Sequence, residues 1–162
     1  MHRLTLIAMV CIATPLAADP TGVRLESVSY ADLAVEVKGQ KGNVVLVDVW
    51  GSFCAPCKEK FPHVVALHEK FAKQGLVVIS VSVDPPDDPD ARSAAQAFLT
   101  KQRATFRNVQ LSDNAEVWQA KWNVVGPPLL FLFDRDGKLV SRWEGKIDVD
   151  EVARRVAELC GK

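Results

Sequence analysis

Cys54 and Cys57 stand three positions apart in the stretch Trp50-Gly51-Ser52-Phe53-Cys54-Ala55-Pro56-Cys57-Lys58-Glu59-Lys60-Phe61-Pro62, between an apolar run and a charged, helix-like segment. Two thiols at that spacing, at a strand-to-helix junction, suggest redox chemistry. The first turn of a helix has unpaired backbone N–H groups and the positive end of the helix dipole, which stabilise a thiolate at Cys54. Cys57, one turn further in, is placed to attack a mixed disulfide on Cys54 and release the partner, while Pro56 stiffens the turn between them. A CxxC is also half of a zinc site. Zinc takes four ligands, however, and the sequence has no second CxxC, so neither a metal nor a cofactor is expected.

The element that must deliver Cys54 is Val44-Val45-Leu46-Val47-Asp48-Val49-Trp50, too uniformly apolar for a half-exposed strand and suited to a central strand covered on both faces. Asp48 is its one charged residue. A carboxylate there is costly to ionise, so Asp48 is a candidate general acid/base. The competing structural role is an Asp that caps a nearby backbone group.

The Cys-containing stretch, with Trp50 before it, Pro56 inside it and Pro62 five residues after Cys57, resembles the thioredoxin active site. The resemblance implies that Asp48 relays a proton to or from Cys57. A second stretch, Trp122 to Lys138, is similar to the family's cis-proline loop, strand and hairpin. There Pro128 matches the cis-proline, and Pro127 precedes it without an N–H to offer a substrate backbone. Trp50, Phe53, Pro127 and Pro128 are thus expected to frame the substrate groove. Ser80 stands where thioredoxin has a lysine near the buried Asp, which implies a carboxyl at Asp48 held still higher. The segment from Asp84 to Pro128 is longer than in thioredoxin by a helix and a strand, so the chain resembles the exported TlpA/ResA-like branch. The implied fold is α/β and thioredoxin-like: a central mixed sheet flanked by helices, with an extra helix-strand insert before the cis-proline loop.

The other elements follow from local signals. An extended piece around Val23-Arg24-Leu25 leads to a helix bearing Tyr30, Leu33, Ala34 and Val37 and ending at Gly39. The helix after Cys57 should turn Phe61, Val64, Val65, Leu67, His68 and Phe71 inward, with Lys58, Glu59, Lys60, Glu69, Lys70 and Lys73 outward, and Pro62 should kink it. Leu76 to Val83 reads as a parallel partner of the first central strand. The acidic, proline-rich loop from Asp84 to Asp90 reads as a solvated turn, with Asp90 capping a helix through Ala94, Ala97, Phe98 and Lys101. A strand from Phe106 to Leu111, a helix capped by Asp113, a hairpin to Glu144 and a terminal helix capped by Asp148 complete the order. The remaining histidines, His63 and His68, are expected as surface or packed residues.

The chain has 162 residues, 48% of them hydrophobic, which fits one domain, and its formal charge is zero; with no basic block and no aromatic-basic interleaving, nothing in it points to nucleic acid or an anionic membrane surface as partner. Met1 to Ala18 reads as a secretory signal peptide, with an uncleaved anchor or a lipidated Cys11 as the competing possibilities, leaving residues 19–162 as a single domain. Cys160 falls on the apolar side of the terminal helix and is expected to be a buried thiol.

Taken together, the expectation is a periplasmic thiol–disulfide oxidoreductase, with Cys54 as nucleophile, Cys57 as resolver and Asp48 handling the proton. It would be monomeric and would reduce disulfides of exported partners, such as cytochrome c or copper-site assembly factors, with a membrane thiol donor supplying electrons. Reduction is favoured because Ala55-Pro56 lacks the cationic His found between the cysteines of strong oxidants. The rival is a Sco-like copper chaperone holding Cu(I) on the two thiolates.

Overall fold

The computed structural model describes residues 22–161. The leader reading of residues 1–18 and the question of Cys11 lie outside them. Six strands form one sheet in the order β1-β4-β3-β2-β5-β6: β1 (Leu25–Val28), β2 (Val44–Trp50), β3 (Leu76–Ser82), β4 (Arg107–Leu111), β5 (Leu129–Phe133) and β6 (Leu139–Glu144). The first four are mutually parallel, β5 runs antiparallel to β2, and β6 runs antiparallel to β5, so the sheet is mixed. The five α-helices among the described residues are α1 (Tyr30–Gly39), α2 (Ala55–Phe71), α3 (Pro89–Gln102), α4 (Ala115–Trp122) and α5 (Val149–Cys160).

Every residue of β2 is buried, as a strand covered on both faces requires. Side chains alternate along it, so Val44, Leu46 and Trp50 join the layer with α2, α3 and α5, whereas Val45, Val47 and Val49 join the layer with α1 and α4. That parity places Asp48 in the α2 layer. Its strand neighbours in register are Ser80 on β3 and Leu130 on β5. The α3–β4 unit is the insert that precedes the cis-proline loop, and β4 closes the sheet between β3 and β1.

Several local expectations need correction. The first extended piece forms its strand at Leu25–Val28 rather than around Arg24. Asp88, not Asp90, caps α3, its carboxylate accepting from the N–H groups of Asp90 and Ala91, because Pro89 takes the first helical position, where no N–H is needed. The buried face of α3 is Ala95 and Leu99, one position later than the alanine spacing suggests. Asp113 does not cap α4, whose N-cap is Asn114. Its carboxylate instead accepts from the Tyr30 N–H at 2.6 Å, fastening the start of α1 to the end of β4. The other caps fall where expected: Ser29 opens α1 and Asp148 opens α5.

Candidate active site

Cys54 is the N-cap of α2, with extended backbone (φ −91°, ψ 95°), and Pro56 occupies the first turn. The chain leaves β2 at Trp50, makes the turn Gly51–Cys54 closed by the Cys54 N–H to the Gly51 carbonyl at 3.0 Å, and enters the helix directly. Both cysteines therefore sit in the first turn of α2, at the positive end of the helix dipole. They form a disulfide, with Cα atoms 5.3 Å apart. Cys54 is 6% exposed and Cys57 is 0% exposed, so an incoming group meets Cys54 first.

One turn beyond Cys57, Lys60 points inward rather than out to solvent. It is 6% exposed, and its ammonium contacts Oδ1 of the wholly buried Asp48. The expectation of an outward Lys60 is thus overturned, and helical geometry explains why: a residue three positions after Cys57 shares its face, and that face is the one above Asp48. The charge missing at Ser80 is supplied from α2 instead. Burial still pushes the Asp48 carboxyl above its ordinary range, with the Lys60 charge and hydrogen bond opposing it. Oδ2 of Asp48 has no hydrogen-bond partner among the described residues. Lys60 also forms part of the wall of a cavity of about 270 Å³ shared with Pro56, Glu59, His63, Pro128 and Lys146. That cavity lies beside Pro56, the residue before Cys57.

The peptide bond between Pro127 and Pro128 is cis, and Pro128 borders the same cavity as Pro56. The cis-proline loop and the head of α2 thus come together as the sequence suggests. Trp50 does not line this surface. It is fully buried, its indole N–H donating to Ser80 Oγ at 2.7 Å and its ring against Phe61 and Phe98. It braces the floor beneath the cysteines. Phe53, by contrast, is 65% exposed, its ring lying over Gly51.

The acidic loop also differs from its expected solvated state at one residue. Asp84 is buried and accepts from the backbone and hydroxyl of Ser52, which joins it to the turn before Cys54. The signal available in the sequence is its position directly after an apolar strand, ahead of the prolines. His63 is exposed, and His68 packs on Phe106 with burial lowering its imidazole, against a smaller opposing effect of Glu69. Cys160 is a free, buried thiol at the end of α5, pushed up by burial against the opposing charge of Arg135. Among the described residues, no group of three or more His, Cys, Asp or Glu side chains gathers as metal ligands would.

A mixed sheet with a disulfide at the head of the helix after its central strand, and a cis-proline beside it, defines a thioredoxin-like protein. The chain belongs to the AhpC/TSA family, whose model matches residues 12–142. Among curated proteins it is 28% identical over 112 residues to "Thiol-disulfide oxidoreductase ResA" of Bacillus thuringiensis subsp. konkukian, covering 69% of this chain and 61% of that one. It is 26% identical over 142 residues to "Thiol:disulfide interchange protein HelX" of Rhodobacter capsulatus, covering 87% and 74%. The match to ResA thus spans under two thirds of that relative's length. Among solved structures, a putative thiol:disulfide interchange protein DsbE from Chlorobium tepidum matches with TM-score 0.60 and 28% identity, over 75% of this chain and 82% of that one. A secreted disulfide oxidoreductase of Mycobacterium tuberculosis matches in fold with TM-score 0.60 and 22% identity, over 75% and 85%.

Proposed function

We propose that the protein is a thiol–disulfide oxidoreductase that works in the periplasm, behind a cleaved leader of residues 1–18, with residues 19–162 as one working unit. The observation that carries the reading is the Cys54–Cys57 disulfide closed at the N-terminus of α2, with the less buried side chain at Cys54 and the fully buried one at Cys57, one helical turn before the Lys60 that pairs with Asp48. The printed names of the ResA and HelX relatives support the same activity.

In the reducing direction, the Cys54 thiolate attacks one sulfur of a partner disulfide, forming a mixed disulfide and expelling the partner's other sulfur as a thiolate. Cys57 then gives its proton to the Asp48 carboxylate and attacks the Cys54 sulfur. The Cys54–Cys57 bond forms and the partner leaves with both its sulfurs reduced, so two electrons pass from the pair to the partner. Asp48 suits the proton step because burial raises its carboxyl above its ordinary value, with the Lys60 charge opposing the rise, so it takes up a proton more readily than a free carboxylate does. Lys60 holds that carboxyl in place and forms part of the wall of the cavity beside Pro56 and Pro128. Phe53, Pro127 and Pro128 form the surface that receives an extended partner segment, and Trp50 supports it from below. The partners are exported proteins bearing disulfides, cytochrome c or copper-site assembly factors among them, and a membrane thiol donor restores the dithiol. No helix among the described residues is long and apolar enough to cross a membrane.

The deciding experiment is the redox equilibrium of the pair in a Cys160→Ser background, read by mass after thiol alkylation, together with reduction of insulin disulfides. A midpoint near or below about −250 mV with insulin turnover supports a reductase. A midpoint near about −120 mV overturns the direction, and a pair that does not exchange overturns the activity.

A further inference from the structure

The proton-handling pair leaves a second buried acid unused. Asp84 follows β3 by two residues and is 1% exposed. Both its oxygens accept from the Ser52 N–H at 3.0 Å, Oδ1 accepts from the Ser52 hydroxyl at 2.7 Å, and Oδ2 from the Ser82 hydroxyl at 2.6 Å. Among the described residues no cation pairs with it. The nearby Arg92 instead donates to Gln110 Oε1 at 2.5 Å and to the Leu25 carbonyl at 2.6 Å, while Gln110 Nε2 donates to the backbone carbonyls of Asp84 and Pro85. The same turn is tied a second time, by the Val83 N–H to the Trp50 carbonyl at 2.8 Å. An uncompensated carboxylate therefore grips the residue two before Cys54.

We propose that Asp84 is a positioning residue for Cys54: through Ser52 it fixes the 51–54 turn that presents the outer sulfur, and its negative charge biases the pair toward the disulfide, making the dithiol a stronger reductant. The sign follows from charge. The disulfide is neutral at Cys54, whereas the reduced form includes a thiolate that a buried anion behind the same turn disfavours, weakening what the helix terminus provides. This rests on the exchange activity proposed above.

The test uses the full-length protein carrying Cys160→Ser as parent, equilibrated with glutathione. The protein disulfide and two glutathione thiols give the protein dithiol and one glutathione disulfide, two electrons and two protons moving from glutathione to the protein. Asp84→Asn keeps an acceptor for Ser52 and removes the charge. It should shift this equilibrium about tenfold toward the dithiol, which is about 30 mV for a two-electron couple, and should move the pH profile of Cys54 alkylation to lower pH. Ser52→Ala keeps the charge and loosens the grip, so the rate of insulin reduction should fall several-fold with the equilibrium held within about twofold. A folded Asp84→Asn protein within twofold of the parent overturns the inference while leaving the oxidoreductase reading intact. If Asp84→Asn does not fold, Ser52→Ala decides: a slowed rate at an unchanged unfolding midpoint supports the role, and an unchanged rate overturns it. A parent that does not exchange with glutathione at all overturns both.

Discussion

The Lys60 ammonium is held against the Asp48 carboxylate in the layer between the sheet and α2, one helical turn beyond Cys57, and no other side chain among the described residues bonds to either charge. The carboxylate is fully buried, so it is costly to ionise even beside a cation, and its proton affinity rises.

Lys60→Met removes the one interaction that holds the Asp48 carboxyl down, so that carboxyl should rise further. Breaking a buried pair from one side costs about 3–5 kcal/mol when the remaining partner stays charged. The loss should be smaller where Asp48 is protonated. Urea unfolding at pH 5 and pH 8 should therefore show the gap between parent and variant widening with pH, and the pH–rate profile of insulin reduction should move upward.

Asp48→Asn combined with Lys60→Met tests the pair as a unit. Folding raises the Asp48 carboxyl above its ordinary value of 3.8, so over the interval between the two values the native chain holds a proton that the unfolded chain has released. The contribution of Asp48 to stability is thus fullest below pH 4 and is lost as pH rises through the raised value. Replacing both charges should flatten that slope and leave the protein as stable at pH 7, or more stable by about 1–4 kcal/mol. Reduction of insulin should nonetheless slow by about 100-fold, the low end of what a general acid/base supplies. A double variant that reduces at the parent's rate removes Asp48 from the proton step.

The strand Val44–Trp50 is legible in the sequence because an unbroken apolar run can be satisfied only in the middle of a sheet, and the CxxC and Pro127-Pro128 carry their own local geometry. Lys60 is not, for a physical reason. A long cationic side chain is placed outward by default, and only the three-residue offset from Cys57, combined with the parity of Asp48 on β2, shows that the two charges meet. Asp84 is hidden likewise among Asp87, Asp88 and Asp90, which are exposed, because composition does not distinguish the one carboxylate that has donors above it. Trp50 is legible as part of the motif but not as floor, since only its bond to Ser80 reveals which way the ring turns.

Cys57→Ser separates the two thiols. Cys54 keeps its place at the helix terminus and still attacks, but nothing resolves the mixed disulfide, so a one-to-one adduct with a partner should accumulate and run as a single band without reductant. In the Cys160→Ser background, Cys54→Ser should give no adduct, because the Cys57 side chain is fully buried. Adduct formation by Cys54→Ser at the rate of Cys57→Ser would reverse the two roles.

Gly51→Ala probes the exposed aromatic without touching it. A Cβ at Gly51 would lie 2.5 to 3.0 Å from three atoms of the Phe53 ring, too close to be tolerated in place. The ring is 65% exposed and free to swing outward, so the clash is relieved at the surface and not by shifting β2. Thermal unfolding should change by less than about 1 kcal/mol, within the range of surface substitutions that create no cavity and bury no polar group. If Phe53 forms part of the docking surface, displacing its ring should raise KM for a protein disulfide several-fold with kcat nearly unchanged, and Phe53→Ala should do the same. The combination of both substitutions should be no worse than Phe53→Ala alone, since the two act through one ring. Additive losses in KM would place the effect of Gly51→Ala in the turn that carries Cys54 rather than in Phe53.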